Sequence, residues 1–163
     1  MRMIFVLFGI VMAMTNTANS QSASEEQAVR NVIAGFEEAW NKHDMNAMAS
    51  LFTNDAEWVA VVGWWWRGLP EVKRGFVAIH ATMFKNTPFH VDSVSIRFPT
   101  GDTSIAIVTG STGSFVAPDG TRVAGKKDRL SIFMVKHEGR WLIASGQNTA
   151  INPEAQQYNP VGR

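Results

Sequence analysis

The second half of the chain consists of four long runs of β-forming residues separated by short turns. The runs are rich in Val, Ile, Thr, Ser and Phe and cover residues 89–98, 103–115, 121–137 and 140–148. The segments between them contain Gly, Asp or Pro, which are typical turn residues. Consecutive strands joined by short turns pair as antiparallel hairpins. This half of the chain therefore predicts an antiparallel meander.

The first half carries three stretches with helical periodicity. From Ser24 to His43, apolar residues recur at three- and four-residue spacing. Asp44 is placed to cap a second, shorter helix, and Pro70 lies in the first turn of a third. Helices followed by a meander predict an α+β domain, with one curved antiparallel sheet and the helices on a single face.

The stretch from residue 52 to residue 68 holds four of the six tryptophans. Residues 57–62 are predicted to form a strand, with Trp58, Ala60 and Val62 on one face. Gly63 permits a bend before three consecutive tryptophans, residues 64–66. Because side chains alternate along an extended backbone, these three tryptophans cannot all enter one pocket.

The first twenty residues have the pattern of a secretory signal peptide. Arg2 supplies a positive start, residues 4–14 are apolar, and Ala18-Asn19-Ser20 fits a signal-peptidase site. Eleven apolar residues are too few to span a bilayer, which needs about 20. We expect a secreted or periplasmic protein with no membrane partner after cleavage. Residues 21–150 are the predicted domain and 151–163 a polar tail.

The overall charge argues against nucleic acid as a partner. The chain has 15 basic and 14 acidic residues without a basic cluster, whereas nucleic-acid binding depends on concentrated Lys and Arg. The absence of cysteine excludes thiol catalysis and thiolate metal sites. The four histidines show no paired ligand spacing, and no dinucleotide fingerprint is present, so we predict neither a metal nor a cofactor.

Three local motifs resemble a known family. They are the run Trp40-Asn41-Lys42-His43-Asp44, the run from Leu51 to Val59, and Lys136-His137-Glu138-Gly139-Arg140-Trp141 with the later Gln147-Asn148-Thr149. Together with the order of elements, they look like the SgcJ/EcaC branch of the SnoaL-like, nuclear transport factor 2-like superfamily. The resemblance implies a cone-shaped (cystatin-like) fold, a curved antiparallel sheet with three helices on its concave side. It also implies a deep pocket and a homodimer through the convex face.

The resemblance also permits a comparison with ketosteroid isomerase, a relative of known mechanism. Its general-base aspartate would fall at Ala60, its oxyanion-hole tyrosine near Phe36 and its protonated aspartate near Ser131. None of the three groups is present, which argues against isomerisation by that mechanism. Ala60 also replaces a residue that is usually asparagine in the branch, so the pocket is expected to be more apolar.

The same register implies which side chains line the pocket. Most are aromatic, as in a site for a small apolar ligand: Phe36, Trp40, Trp58, Ala60, Val62, Trp66, Phe76, Phe84, Ser131, Phe133 and Ala144. The polar members, and the candidates for catalysis, are His80, Arg129 and Asn148. His80 could equally be a core histidine with a satisfied hydrogen bond, and Arg129 could extend to solvent at the rim.

Three functional hypotheses follow. The first is a small hydrophobic molecule bound in the aromatic pocket of an exported homodimer. The second is a cofactor-free acid/base cyclase, dehydratase or isomerase, with His80 carrying the proton and Arg129 or Asn148 polarising an oxygen. The third is an association module that uses the outer sheet face, with Ile132 and Met134 at the interface.

Overall fold

The computed structural model describes residues 5–162, with side chains from residue 22 onward. The predicted signal peptide and its cleavage site therefore lie outside the residues whose side chains are described. Within the described part of the chain, no helix is both long and apolar enough to cross a membrane.

The helices lie mainly in the first half. They are α1 (Phe5–Lys42), α2 (Met45–Ala49) and α3 (Leu69–Ala81), with a single-turn α4 (Pro153–Gln156) in the tail. Asp44 caps α2 as predicted, because its carboxylate accepts hydrogen bonds from the backbone N–H groups of Asn46 and Ala47. α1 begins well before the predicted start at residue 24.

In residues 5–162, eight strands form one large sheet and one small hairpin. They are β1 (Phe52–Val59), β2 (Trp65–Arg67), β3 (Phe89–Thr100), β4 (Thr103–Thr112), β5 (Phe115–Val116), β6 (Arg122–Val123), β7 (Lys126–His137) and β8 (Arg140–Ala150). The six-stranded sheet has the order β2-β1-β8-β7-β4-β3, and β5 pairs with β6 separately. The α+β class and the sheet covered by helices are confirmed.

One pairing in the sheet is parallel rather than antiparallel. The turn between β7 and β8 has positive φ at Glu138 (50°) and Gly139 (78°), the conformation of a tight type I′ hairpin. That turn fixes β8 antiparallel to β7, and β8 then fills the place beside β1, to which it runs parallel. The sheet is therefore mixed.

Two of the predicted long strands are interrupted. Residues 103–115 divide into β4 and β5, and residues 121–137 divide into β6 and β7. The breaks coincide with Gly113 and Gly125, where the two strands separate and the small hairpin leaves the sheet. The β5–β6 hairpin thereby becomes an extra wall above the concave face.

The core lies between the helices and the concave face of the sheet. α1 contributes a buried stripe that ends in Phe36 and Trp40, and α3 contributes Val72 and Phe76. The ring of Phe36 is central, and it lies 5.7 Å from the ring of Trp58 in a stacked arrangement. Truncation of such a buried aromatic residue costs about 3–5 kcal/mol.

Polar contacts attach the described part of α1 to the sheet. Near the N-terminal end of the described side chains, Glu25 accepts hydrogen bonds from Lys136 Nζ (2.6 Å) and Trp141 Nε1 (2.7 Å). Near the C-terminal end of α1, the Asn41 amide exchanges two hydrogen bonds with the backbone of Phe89. The part of α1 between Glu25 and Asn41 is thus held at both of its ends, which fixes the depth of the space beneath it.

Candidate functional site

A cavity of about 350 Å³ lies between α1, α3, the β1–β2 hairpin and the sheet. Its volume falls within the range typical of small-molecule sites, roughly 300–1,000 Å³. The lining is overwhelmingly apolar, and the polar members are Thr112, Lys126, Asp128 and Asn148. The cavity therefore suits a compact apolar molecule with few polar groups.

The tryptophan walls of the cavity depend on glycines that face them. Gly146 on β8 is paired with Trp58 on β1, and a methyl group at Gly146 would overlap the indole ring. Gly75 on α3 faces the ring of Trp66 in the same way. Because both glycines lack a side chain, each indole lies directly against the opposing backbone.

The mouth of the cavity is a tight reversal between β1 and β2. The backbone N–H of Ala60 donates to the carbonyl of Trp64 (2.8 Å), and Gly63 adopts a positive φ of 87°. β1 ends at Val59, so the predicted strand does not continue to Val62. Val62 lies at the tip of the reversal, 65% exposed, and contacts the cavity only at its mouth.

The three consecutive tryptophans separate as alternation requires. Trp64 and Trp66 line the cavity. Trp65 shares the outer face with Arg67, whose guanidinium carbon lies 4.8 Å from the centroid of its ring. A cation–π contact of this kind keeps an exposed indole partly covered.

Strand β7 presents the opposite face from the one predicted. Arg129, Ser131 and Phe133 are exposed on the outer face, so their predicted inward placement is wrong. The inward side chains are the buried ones that alternate with them: Asp128, Leu130, Ile132 and Met134. The physical reason is that Leu130, Ile132 and Met134 are all strongly apolar. Burying these three side chains is more favourable than burying Arg129, Ser131 and Phe133, so the strand presents this face to the core. Ile132 and Met134 are therefore core residues and cannot form an outer interface.

The inverted face brings a carboxylate into the cavity. Asp128 is only 5% exposed and lines the cavity together with Lys126, two residues before it on the same strand. Lys126 Nζ lies 3.4 Å from Asp128 Oδ1, which is ion-pair distance without hydrogen-bond geometry. Oδ1 is fully buried and receives no hydrogen bond from any residue that the structure describes. Such a carboxylate is a strong unused acceptor.

Strand β8 contributes one predicted polar residue and excludes another predicted residue. Asn148 lines the cavity and is paired with Leu130. Ala144 does not line it, because the pairing of β7 with β8 shifts between Phe133 and Met134 and leaves Ala144 at a β-bulge. The bulge changes the alternation, so that Trp141 and Ile143 point inward before it and Gly146 after it.

His80 lies behind the cavity wall rather than on its surface. It is 6% exposed, and its ring meets the ring of Trp40 edge-on at 4.5 Å between centroids. Its Nδ1 lies 2.8 Å from the Nδ1 of His43, the residue that follows α1. Burial, and secondarily the nearby His43, lower the pKa of His80 to about 4. Trp40 lines the cavity, whereas His80 does not.

Comparison with known proteins places this fold and cavity in a family. The sequence model of the SnoaL-like domain matches residues 29–150, which is most of the chain. The chain belongs to the SnoaL-like family. A protein of unknown function with a cystatin-like fold from Caulobacter vibrioides is 32% identical; the match covers 83% of this chain and 96% of that one, with a TM-score of 0.81. No curated protein matches the chain significantly.

Two more distant structures share the SnoaL-like fold alone. A type 2 hexachlorocyclohexane dehydrochlorinase has a TM-score of 0.72 at 12% identity, covering 82% of this chain and 90% of that one. A putative scytalone dehydratase from Novosphingobium aromaticivorans DSM 12444 has a TM-score of 0.71 at 13% identity, covering 82% and 89%. At this identity the likeness concerns architecture.

The structure of this SnoaL-like chain brings together most of the residues predicted for the pocket. Those that line one cavity are Phe36, Trp40, Trp58, Ala60, Val62, Trp66, Phe76, Phe84 and Asn148. Those that do not are His80, Arg129, Ser131, Phe133 and Ala144. Asp128 and Lys126 also line the cavity and were not predicted, although the apolar alternation from Leu130 onward indicates their side of the strand.

The SnoaL-like cavity offers acid/base and hydrogen-bonding groups. Within residues whose side chains are described, no three His, Asp or Glu side chains are grouped as metal ligands. The groups that can interact with a ligand are the Asp128 carboxylate, the Lys126 ammonium, the Asn148 amide and the Thr112 hydroxyl. Apolar side chains provide the remaining surface.

Proposed function

We propose that the protein binds a small, largely apolar aromatic molecule in the cavity beneath α1 and α3. The observation that carries the proposal is the lining itself, in which aromatic rings from two helices and the β1–β2 hairpin surround about 350 Å³ of space. Transfer of apolar surface from water into such a space is favourable by about 25 cal/mol per Å². The fixed positions of Trp58 and Trp66 against glycines supply a preorganised wall.

Propylbenzene is a suitable probe because it is apolar, aromatic and small. We expect it to change the tryptophan emission, since Trp40, Trp58, Trp64 and Trp66 all line the cavity. The dissociation constant would be measured by this signal and by calorimetry. If saturating propylbenzene produces neither a fluorescence change nor heat, the proposal fails.

A cavity-filling variant tests the location of binding. Ala60→Phe adds a ring at a lining position, so propylbenzene should bind at least about tenfold more weakly. Ala78→Phe makes the same change at an exposed position of α3 and should retain wild-type affinity. Equal affinities of the two variants would place binding elsewhere on the protein.

Cofactor-free acid/base catalysis is a second candidate, favoured by the buried carboxylate of Asp128. A carboxylate in an apolar cavity can accept a proton from a bound molecule, a role that contributes roughly 10²- to 10⁴-fold in rate. Two structures with the same fold carry names of elimination enzymes, a dehydrochlorinase and a putative dehydratase. This support is an analogy of fold. In this version Asp128 replaces His80 as the proton carrier, because Asp128 lines the cavity and His80 does not.

Chloride release from a hexachlorocyclohexane tests this candidate directly. Wild-type protein should release chloride, and Asp128→Asn should lower the rate at least about 100-fold. Asp92→Asn is the matched control, because Asp92 pairs with Lys127, outside the cavity lining. No release by the wild-type protein would remove dehydrochlorination, and an unaffected Asp128→Asn rate would remove the assigned base.

We further propose that the protein is exported and dimeric. The supporting features are the signal-peptide pattern of residues 1–20 and two exposed apolar side chains on the outer sheet face, Ile107 and Phe133, each 37% exposed. An N-terminus at Gln21 in the secreted or periplasmic protein would support export, and retention of Met1 would contradict it. Sedimentation of wild type and Phe133→Ser would test the dimer, which the substitution should weaken.

A further inference from the structure

The Asp128 carboxylate is one of four polar groups in a mainly apolar cavity, beside Lys126, Asn148 and Thr112. Asp128 is 5% exposed and lines the cavity. Its Oδ1 receives no hydrogen bond from any described residue. A buried acceptor that is not hydrogen-bonded carries a desolvation penalty, which a ligand can relieve by donating. Oδ1 has essentially no accessible surface, so a ligand reaches it only when the side chain rotates, which the broad last torsion of aspartate permits.

The neighbouring groups favour a neutral donor over an anion. Lys126 is the cation nearest to Asp128, with its Nζ 3.4 Å from Oδ1, and its charge is already balanced by that carboxylate. A second carboxylate brought by a ligand would meet the negative charge of Asp128 in an apolar surrounding, where like charges repel strongly. A hydroxyl or amine hydrogen meets no such cost.

We propose that Asp128 accepts a hydrogen bond from the hydroxyl or N–H of the ligand, so that the class of ligand is a neutral phenol or arylamine rather than a hydrocarbon or an aromatic acid. This inference rests on the proposed function of the cavity. Hydrogen bonds to a charged group are stronger than neutral ones and discriminate against an analogue that lacks the donor. Asp128 thereby determines specificity within a pocket whose aromatic walls determine size.

Four probes of similar shape test this ligand class. They are propylbenzene, para-propylphenol, its methyl ether para-propylanisole, and para-propylbenzoate. For the wild-type protein, the phenol should bind about tenfold to a hundredfold more tightly than the ether. The benzoate should bind more weakly than the phenol. Tighter binding of the benzoate would show that Lys126 recognises an anion and would overturn the proposal.

Weaker binding of the ether can come from the lost hydrogen bond or from the added methyl group, and variants of Asp128 distinguish the two causes. In Asp128→Leu the phenol-to-ether ratio should fall to about one. In Asp128→Asn the neutral amide oxygen still accepts, so an intermediate ratio is expected. The control Asp92→Asn should keep the wild-type ratio. A ratio that survives in Asp128→Leu overturns the assignment.

The outcomes distinguish this inference from the proposed function. If propylbenzene and the phenol both fail to bind the wild-type protein, the cavity is not a ligand site and both proposals fall. If they bind equally well, the cavity binds apolar molecules but Asp128 does not select them. If Asp128→Leu fails to fold, the phenol-to-ether affinity ratio is measured in Asp128→Asn instead. A ratio equal to that of the wild type in this variant counts against a charged acceptor.

Discussion

The Nδ1 atoms of His43 and His80 lie 2.8 Å apart, although one histidine is exposed and the other is buried. His43 reaches this position because it follows α1 with a positive φ of 54°. The Nε2 of His80 is buried without a hydrogen bond from a described residue. We therefore assign the proton of His80 to Nδ1, donating to His43, because the alternative would leave a buried N–H unpaired.

The first prediction concerns stability in acid. Burial lowers the pKa of folded His80 to about 4 from its ordinary value of 6.5, so the unfolded chain binds this proton more readily. The free energy of unfolding should consequently fall as the pH decreases from about 6.5 to about 4, by at most about 3 kcal/mol from this group. Urea unfolding at a series of pH values, followed by tryptophan emission, measures the loss.

Two variants isolate the contribution of His80. His80→Gln removes the titrating group, so its stability should depend less on pH in this window even if its absolute stability is lower. His137→Gln, which replaces an exposed histidine, is the matched control. Because carboxylates titrate in all three proteins, only the difference between the profiles is used. Identical profiles for wild type and His80→Gln would contradict the assigned shift.

The second prediction concerns the contact between Trp58 and Gly146. A methyl group at Gly146 would overlap the Trp58 ring, which is itself stacked on Phe36 and only 4% exposed. Gly146→Ala should destabilise the protein by about 1–3 kcal/mol, the usual cost of overpacking, and should shift the tryptophan emission. Gly101→Ala is the control, because no described residue other than its chain neighbours has an atom within 4 Å of the added methyl group. Equal stabilities would show that the indole moves freely.

The sequence predicted the walls of the cavity better than its polar groups. Aromatic residues on α1 and α3 follow a helical period, which specifies a buried face without knowledge of neighbours. Asp128 was missed because side chains alternate between the two faces of a strand. An error of one residue in the predicted register therefore places every side chain on the wrong face. The break at Gly125 separates β6 from β7, and the alternation had to be read from Leu130, Ile132 and Met134 alone.

Two further features depend on tertiary structure. The bulge at Ala144 changes the face of β8 without a marker residue, since the extra residue is required only by the pairing with β7. The pairing of His80 with His43 joins residues 37 positions apart through the backbone conformation at the end of α1. Periodicity cannot report either feature, because both arise from contacts between elements.

The third prediction concerns the attachment of α1 at Glu25. Its two carboxylate oxygens accept hydrogen bonds from Lys136 and Trp141, and these hydrogen bonds lower the pKa of Glu25 below its ordinary value. Glu25→Gln should destabilise the protein by about 1–2 kcal/mol at neutral pH. The wild-type advantage should disappear as the pH falls through the lowered pKa, because the carboxylate then becomes protonated.

The neighbouring Glu26 provides the control for Glu25. It pairs with Arg30 within the same helix, and the two side chains are 47% and 39% exposed. Glu26→Gln should therefore cost less than about 0.5 kcal/mol. Chemical denaturation of the two variants at neutral pH compares them. Equal losses would mean that the link from Glu25 to the sheet contributes no more than a surface ion pair.

The fourth prediction concerns Asn41, which joins the end of α1 to the start of β3. Its Nδ2 donates to the Phe89 carbonyl (2.8 Å), and its Oδ1 accepts from the Phe89 N–H (2.9 Å). Asn41→Ala should cost about 1–2 kcal/mol, because both backbone groups lose their partner. Since Phe89 lines the cavity, propylbenzene should also bind more weakly. Asn31→Ala removes an exposed intrahelical hydrogen bond and should change neither quantity. If Asn41→Ala unfolds at the wild-type denaturant concentration, this clamp does not position β3.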